Sequence, residues 1–166
     1  MRPSRHLVIS AVAGGVVWAA TRNPYSMPIA VATGVLVDID HIPDLLSTFV
    51  LRREPTATFP FHAWEWVAIL IAVGFWIAFP WWYTAAIVGF GLHMFSDQVA
   101  NKGRVWSYLM GFRIYHRFKV SKLAPEWDFN HAYHVVRTEI PLAGKALDLL
   151  GVEQRQEKKH QREQVR

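Results

Sequence analysis

The chain contains no cysteine, which excludes disulfide bonds and thiolate metal ligands. Charged side chains are also scarce in its first half. The stretch from Leu7 to Val37 contains only Arg22, and the stretch from Trp66 to Leu92 contains none. No nucleic-acid-binding motif is present, so a nucleic-acid partner is not expected. Hydrophobic residues make up 52% of the chain against 19% charged ones, a balance that favours a membrane protein.

Four apolar segments precede residue 97. Pro80 separates the last two, which predicts a tight helical hairpin at that point. A membrane-spanning helix needs roughly 20 apolar residues, and the first two segments are short by that measure. The pattern predicts an all-α integral membrane bundle of about four helices, the first two short. The segments run from about His6 to Ala20, Pro28 to Val37, Phe61 to Phe79 and Trp81 to Phe95.

Positive charge is concentrated at the end of the chain. The net charge is +5, and residues 98–166 carry thirteen Lys and Arg against seven acids. The positive-inside rule then predicts a multi-pass protein with both termini in the cytoplasm. We expect a membrane-embedded domain over 1–101 and an amphipathic, basic helical tail over 102–166 that binds anionic lipid headgroups. The start of the chain is interpreted as a retained helix, because no small-residue cleavage site follows it.

Acidic and histidine side chains lie at matching ends of the four apolar segments. In an up-down-up-down bundle, odd helices start and even helices end on the same face, so these side chains are expected to converge there. His93 and Asp97 are spaced i and i+4, and His62 and Glu65 are spaced i and i+3, so each pair shares a helix face. The candidate metal ligands are His6, Asp38, Asp40, His41, His62, Glu65, His93 and Asp97.

Imidazole and carboxylate ligands without thiolate suit a divalent metal, with zinc expected and manganese or iron as alternatives. Several carboxylates together suit one or two ions, because each cation offsets the repulsion among the acids. Two ions about 3.5–4 Å apart can activate a water and hold a phosphoryl oxygen. Asp40 or Glu65 is the candidate general base. Arg104, Arg113 and Arg117 are candidates for binding the substrate phosphate, although lipid headgroups are an alternative ligand for them.

Three stretches carry a family resemblance: Gly-Val-Leu-Val-Asp-Ile-Asp-His-Ile-Pro-Asp at 34–44, Phe-His-Ala-Trp-Glu at 61–65, and Gly-Leu-His-Met-Phe-Ser-Asp-Gln-Val-Ala-Asn at 91–101. They resemble the bacterial inner-membrane metal-dependent hydrolases, some members of which are labelled LexA-binding. The resemblance covers roughly residues 1–101. It implies a location in the bacterial inner membrane and a metal-dependent hydrolytic activity.

The order of the candidate ligands is also similar to that of zinc-dependent phospholipase C and of single-strand nucleases. That similarity implies five ligand positions here. The chain departs from the pattern because it lacks a second His-x-x-x-Glu helix, so one or two ions are expected rather than three. The implied ligands are His6, Asp38 or Asp40, His62, His93 and Asp97.

The sequence therefore predicts a membrane-bound metal-dependent hydrolase that cleaves a lipid or other amphiphilic phosphoester at the cytoplasmic membrane face. The alternative is a non-enzymatic membrane scaffold or adaptor with a fully coordinated structural metal. An ion or proton carrier is disfavoured because the apolar segments hold no ionisable group at mid-depth. His131 and His134, with His116 upstream, are interpreted as the polar face of an amphipathic helix.

Overall fold

The computed structural model describes residues 3–149 except 52, 102, 128 and 140. In this part of the chain the regular elements are helices, as the sequence predicted, and the one extended pairing is an isolated bridge between Thr56 and Lys119. The helices are α1 (Pro3–Thr21), α2 (Ser26–Leu36), α3 (Ile42–Leu45), α4 (Trp64–Trp76), α5 (Trp81–Ala100), α6 (Met110–Tyr115), α7 (Val120–Leu123), α8 (Phe129–Glu139) and α9 (Pro141–Leu149).

The prediction of an integral membrane bundle is wrong. Among the described residues, no helix is both long enough and apolar enough to cross a membrane. α2 and α4 have 11 and 13 residues, well below the roughly 20 that a span needs. α1 and α5 have 19 and 20 residues, but polar side chains in their terminal turns lower their mean hydropathy. The predicted multi-pass topology in the bacterial inner membrane, with both termini in the cytoplasm, is wrong for the same reason.

α1, α2 and α5 pack against one another at glycines. A Cβ built on Gly34 of α2 would lie 2.0 Å from the hydroxyl of Ser10 in α1 and 3.0 Å from the carbonyl oxygen of Gly89 in α5. A Cβ on Gly89 would lie 2.2 Å from the carbonyl oxygen of Ala30 in α2. Only glycine allows backbones to approach this closely. The three helices therefore form a tight unit that fixes the relative positions of their side chains.

α2 continues directly into a 3₁₀ turn, a short α-helix and a π turn. A 3₁₀ turn covers Val37–His41, α3 follows, and a π turn covers Leu46–Val50. Pro43 in α3 has no amide hydrogen, so it cannot continue the α-helical hydrogen-bond ladder of α2. Side chains three residues apart eclipse in a 3₁₀ turn. Asp38 and His41 therefore project from the same side of it, toward α5.

α4 and α5 form the hairpin that the sequence predicted at Pro80. Ala78 and Phe79 both have positive φ angles, 56° and 45°, which reverse the chain within four residues. The Tyr83 hydroxyl donates to the carbonyl of Leu70 at 2.8 Å and ties the two helices together. Much of the remaining surface of α4 is apolar and exposed: Trp66, Ile69, Ile71, Val73, Phe75 and Trp76.

The C-terminal helices pack on the π turn. Tyr133, Val136 and Leu147 form a buried cluster with Phe49. His131 and His134 are exposed on α8, in keeping with the interpretation of this helix as amphipathic. The charged run at 153–166, which carries much of the expected lipid-binding charge, lies outside the described residues. Lipid binding by the tail and the division of the chain at residue 101 therefore stay predictions.

We expect Gly89→Ala to destabilise the fold by about 1–3 kcal/mol, because its methyl group would collide with the backbone of α2 at Ala30. Gly91→Ala is the matched control two residues away in α5. A Cβ there meets none of the described residues within 4 Å, and alanine favours a helix interior over glycine by roughly 0.5–1 kcal/mol. Thermal unfolding should therefore shift in opposite directions for the two variants. A Gly89→Ala protein as stable as Gly91→Ala would contradict the packing described here.

Candidate metal centre

Six polar side chains from four parts of the chain meet at one end of the α1–α2–α5 unit. They fall into two sets of four, each able to hold a metal ion, with ligand atoms within 4.8 Å of one another. Asp38 and Asp97 belong to both sets. We call the sets the first half-site, His6, Asp38, His93 and Asp97, and the second half-site, Asp38, His41, His62 and Asp97.

The Asp38 carboxylate lies among three imidazoles. Its Oδ1 atom is 3.2 Å from Nε2 of His62, 3.5 Å from Nε2 of His93 and 3.6 Å from Nε2 of His41. The same oxygen therefore faces nitrogens of both half-sites, as a bridging ligand would.

Asp97 provides the second shared carboxylate. Its Oδ1 is 3.0 Å from Nε2 of His6, and its Oδ2 is 3.8 Å from Nε2 of His93 and 3.9 Å from Nε2 of His62. The i, i+4 spacing of His93 and Asp97 on α5 places both side chains on the face that packs against α1 and α2. Each oxygen of the carboxylate is thus directed to a different group of nitrogens.

Hydrogen bonds on the opposite ring nitrogens fix the orientation of two of these histidines. Nδ1 of His93 donates to the carbonyl oxygen of Gly34 at 2.7 Å. Nδ1 of His6 lies 3.2 Å from the hydroxyl oxygen of Ser96, and that hydroxyl donates its own hydrogen to the carbonyl of His93 at 2.9 Å. The Ser96 oxygen can therefore accept from Nδ1 of His6 when a metal ion occupies Nε2, whereas a hydrogen bond from Nε2 to Asp97 requires the hydrogen at Nε2. A neutral ring that donates from Nδ1 presents a lone pair at Nε2.

His62 is oriented by Asp40. Its Nδ1 lies 2.9 Å from Asp40 Oδ1. The approach is too oblique to count as a fully formed hydrogen bond, but among the described residues neither atom has another hydrogen-bond partner. Asp40 is itself held in place because its Oδ2 accepts from the backbone amide of Phe61 at 2.7 Å. Carboxylates commonly orient metal-binding histidines through the far ring nitrogen in this way.

The Nε2 atoms of His62 and His93 are only 2.9 Å apart. Two lone pairs at that distance repel, so a proton or a cation must lie between them. In the metal-free protein the proton belongs to His62. Burial lowers its pKa, but the close contacts with the Asp38 and Asp40 carboxylates and the negative charges of Asp40 and Asp97 outweigh that effect and raise the pKa to about 9. Burial lowers the pKa of His93 to about 4, so this ring is the neutral acceptor.

The remaining pKa shifts concern two ionised acids, Asp38 and Asp97, and the neutral ring of His41. Burial opposes ionisation of Asp38, but the hydrogen bond from His62 and the nearby imidazoles lower its pKa below the usual value. Burial also opposes ionisation of Asp97, but its hydrogen bond with His6 and the nearby positive charges together outweigh burial and lower its pKa. Burial and the charge of His62 lower the pKa of His41 to about 4. At neutral pH the centre is therefore rich in negative charge and in free imidazole nitrogens.

Two acids that the sequence assigned to the site lie outside both half-sites. Asp40 contacts His62 from behind, as described above. Glu65 points away: its Oε1 accepts from the backbone amide of Met110 at 2.8 Å, at the start of α6. Its Oε2 is buried and has no hydrogen-bond partner in the part of the chain that the structure describes. His62 precedes α4 in a loop, so the i, i+3 rule for helices does not bring Glu65 beside it. Neither Asp40 nor Glu65 belongs to a half-site, and the role of either as general base stays a prediction.

The three candidate phosphate-binding arginines have different environments. Arg113 is fully buried, and its guanidinium donates to three backbone carbonyls, those of Ser107, Phe59 and His62. No part of it is available to a substrate phosphate. Arg104 and Arg117 are exposed, and their predicted role stays open.

Sequence reasoning missed the residues that support the ligands. Ser96 had a readable signal, because it follows His93 by three residues on the same helix. Gly34 acts through its carbonyl oxygen, which no side-chain pattern reveals. Arg113 acts across a separation of 51 residues to His62, so only the fold could show its role.

Comparison of the chain with family models, with curated proteins and with solved structures finds no match in any of the three. The resemblance to the inner-membrane metal-dependent hydrolases therefore stays a prediction that rests on its three quoted stretches.

Metal binding should strengthen as pH rises. Because the pKa of His62 is raised from 6.5 to about 9, its contribution to the stability of the metal-free protein is complete below pH 6.5 and is lost as pH rises through about 9. A metal ion at Nε2 displaces that proton. We expect the apparent association constant to rise about tenfold per pH unit between pH 6.5 and 8.5, with His41 and His93 already neutral.

Isothermal titration in buffers of different ionisation enthalpy measures both the affinity and the protons released. One proton from His62 should leave when the second half-site fills. An affinity that does not change across this pH range, with no proton release, would contradict the assigned protonation of the centre.

Proposed function

We propose that this protein is a hydrolase that uses two divalent metal ions, with zinc the expected metal, to cleave phosphoesters. The supporting observation is the pair of half-sites that share Asp38 and Asp97. Each half-site offers two imidazoles and two carboxylates, which is a zinc-like donor set. The shared acids would bridge the two ions and hold them at the short separation that two-metal hydrolases require.

Distances within the centre fit this proposal. Two ligands of a tetrahedral zinc ion are about 3.3 Å apart, given zinc–ligand distances of roughly 2.0–2.1 Å. The Nε2 atoms of His62, His93 and His41 lie 3.2, 3.5 and 3.6 Å from Asp38 Oδ1. Each of these nitrogens is therefore spaced from the oxygen as two ligands of the same metal ion would be.

The charge of the centre also favours an anionic substrate. Asp38 and Asp97 contribute two negative charges to the bridging positions, and Asp40 contributes a third behind His62. Two divalent cations would exceed these three charges by one. A phosphoester oxygen would then complete the charge balance, which gives a physical reason for phosphoester over neutral substrates.

Access is restricted to one side of the centre. His6, His62 and His93 are fully buried, whereas the side chains of Asp38 and His41 are 25% and 29% exposed. A substrate would therefore approach over the 3₁₀ turn. The edge formed by Asp38 and His41 is also the side on which an open coordination position would meet water.

Divalent ions in this position would lower the pKa of a bound water and withdraw charge from a phosphoryl oxygen. Hydrolysis adds the water oxygen to phosphorus, breaks the ester P–O bond and transfers a proton to the departing alcohol. Asp40 keeps the Nε2 of His62 directed into the centre through this sequence, and Gly34 does the same for His93.

A structural metal site without catalysis is the second candidate. Its support is that the first half-site alone offers four protein ligands, three of which are buried. A closed four-ligand site of that kind leaves no position for water. The exposed edge at Asp38 and His41 favours the hydrolase over this alternative.

Elemental analysis of the purified protein, followed by a panel of phosphomonoesters and phosphodiesters with and without chelator, tests the proposal. We expect close to two equivalents of metal and a hydrolysis that chelation abolishes. Asp97→Asn removes a shared ligand and should reduce both metal content and activity by at least tenfold. Asp148→Asn is the matched control, because Asp148 pairs with Arg137 on α8 and α9, in a different part of the fold from the two half-sites.

Each outcome has a separate meaning. Metal binding without hydrolysis of any ester would favour the structural alternative. A protein that binds no divalent metal, or an Asp97→Asn variant with full metal content, would overturn the proposed centre.

A further inference from the structure

The two half-sites are built differently. The first takes His6, His93 and Asp97 from the long helices α1 and α5, whose positions are fixed by helix packing. The second depends on His62, which lies in the irregular segment between the π turn and α4. Helical hydrogen bonds do not fix the backbone there. Other contacts must therefore set the position of the His62 ring.

Two carboxylates hold the amide groups of this segment. Asp44 accepts from the amides of Thr58 at 2.7 Å and Phe59 at 3.2 Å, and also from the hydroxyl of Thr58 at 2.6 Å. Asp40 accepts from the amide of Phe61 at 2.7 Å. Three backbone donors are thus bound from the side of the 3₁₀ turn and α3.

Arg113 holds the carbonyl groups of the same segment from the other side. Its Nη1 donates to the carbonyl of Phe59 at 2.8 Å, and its Nη2 donates to the carbonyl of His62 itself. Its Nε donates to the carbonyl of Ser107 at 2.7 Å, which anchors the guanidinium on the turn before α6. The segment is therefore held by hydrogen bonds to two acids and one arginine.

The aromatic ring of Phe59 extends this contact to the ligands. The guanidinium carbon of Arg113 lies 4.3 Å from the centre of the Phe59 ring. That ring lies 4.3 Å from the ring of His41 and 5.3 Å from the ring of His62. Arg113 thus supports both imidazoles that belong to the second half-site alone.

The burial of Arg113 requires an explanation of its own. Its side chain is fully buried, and among the described residues no carboxylate lies within ion-pair distance of it. A buried cation without a direct partner is costly to a fold. Its three carbonyl acceptors and the more distant charges of Asp40, Glu65 and Asp44 offset part of that cost. A position maintained at such a cost is consistent with a specific positioning task.

We infer that Arg113 is a positioning residue that selectively sets the second half-site and so controls occupancy by the second metal ion. This inference rests on the proposed two-ion centre. The first ion would bind to the helix-borne set with or without Arg113. The second ion would bind only when the guanidinium holds His62 and, through Phe59, His41.

The test compares metal stoichiometry and affinity in the wild type, Arg113→Met, Arg113→Lys and Arg104→Met. Zinc is added to the apo-protein and bound metal is measured by elemental analysis after equilibrium dialysis. The wild type should bind two equivalents. Arg113→Met should retain the first at near wild-type affinity and bind the second 10–100-fold more weakly, the range typical for loss of a residue that supports a ligand. Arg113→Lys should be intermediate, because an ammonium cannot reach three separate carbonyls.

Arg104→Met is the matched control, because Arg104 is an exposed arginine and its loss should leave both equivalents unchanged. Cobalt(II) absorption gives an independent readout, since only one of two cobalt environments should be lost in Arg113→Met. A general loss of structure in Arg113→Met would instead weaken the binding of both ions. In that case the ratio of the two affinities in Arg113→Lys shows whether the second ion is lost selectively.

The failures are distinguishable. A wild-type protein that binds no metal overturns the proposed function and this inference together. A wild-type protein that binds one ion overturns the two-ion centre and with it the role of Arg113. Two ions in the wild type and two equally tight ions in Arg113→Met overturn the inference alone.

Discussion

The centre depends on where each imidazole places its one ring hydrogen. His93 donates from Nδ1 to Gly34, Nδ1 of His6 faces the hydroxyl of Ser96, and His62 turns its Nδ1 to Asp40. All three rings consequently direct Nε2 inward, toward two carboxylates that are also electron-rich. Without a cation the Nε2 lone pairs and the carboxylate oxygens would repel one another. In the metal-free protein a proton on His62 relieves this repulsion. The same place suits a metal ion, which interacts with several lone pairs at once where a proton bridges only two.

Gly34 connects this chemistry to the packing of the bundle. Its missing Cβ lets α2 approach Ser10 and Gly89, and its carbonyl oxygen accepts the hydrogen of His93 at 2.7 Å. A larger residue would separate the helices and withdraw the carbonyl from the ring. Helix packing and ligand orientation are therefore not independent properties of this chain, because one residue determines both.

The convergence of the helix ends was predicted from the sequence more successfully than the membrane setting in which they were expected to lie. Alternating helix direction and the i, i+4 spacing of His93 and Asp97 can be read from the sequence, and the structure brings His93 into the first half-site and Asp97 into both. The prediction of a membrane bundle was wrong because the length of each apolar segment was taken as the length of a helix. The helix from Trp64 to Trp76 is shorter than the apolar segment from Phe61 to Phe79 that contains it. Glu65 was grouped with His62 by helical spacing, although the helix begins only after His62.

The difference between the half-sites follows from the kinds of structure that carry them. Ligands on packed helices are fixed by many small contacts along α1 and α5, so removing any one contact moves them little. A ligand in a loop is fixed by a few polar contacts, and each of these carries a larger share of the positioning. Arg113 supplies two such contacts to the His62 segment, on the side opposite Asp40 and Asp44. A two-ion centre built in this way would have one ion site that forms with the fold and a second that forms only when its loop is held in position. The stability of the protein and its catalytic competence would then depend on different contacts.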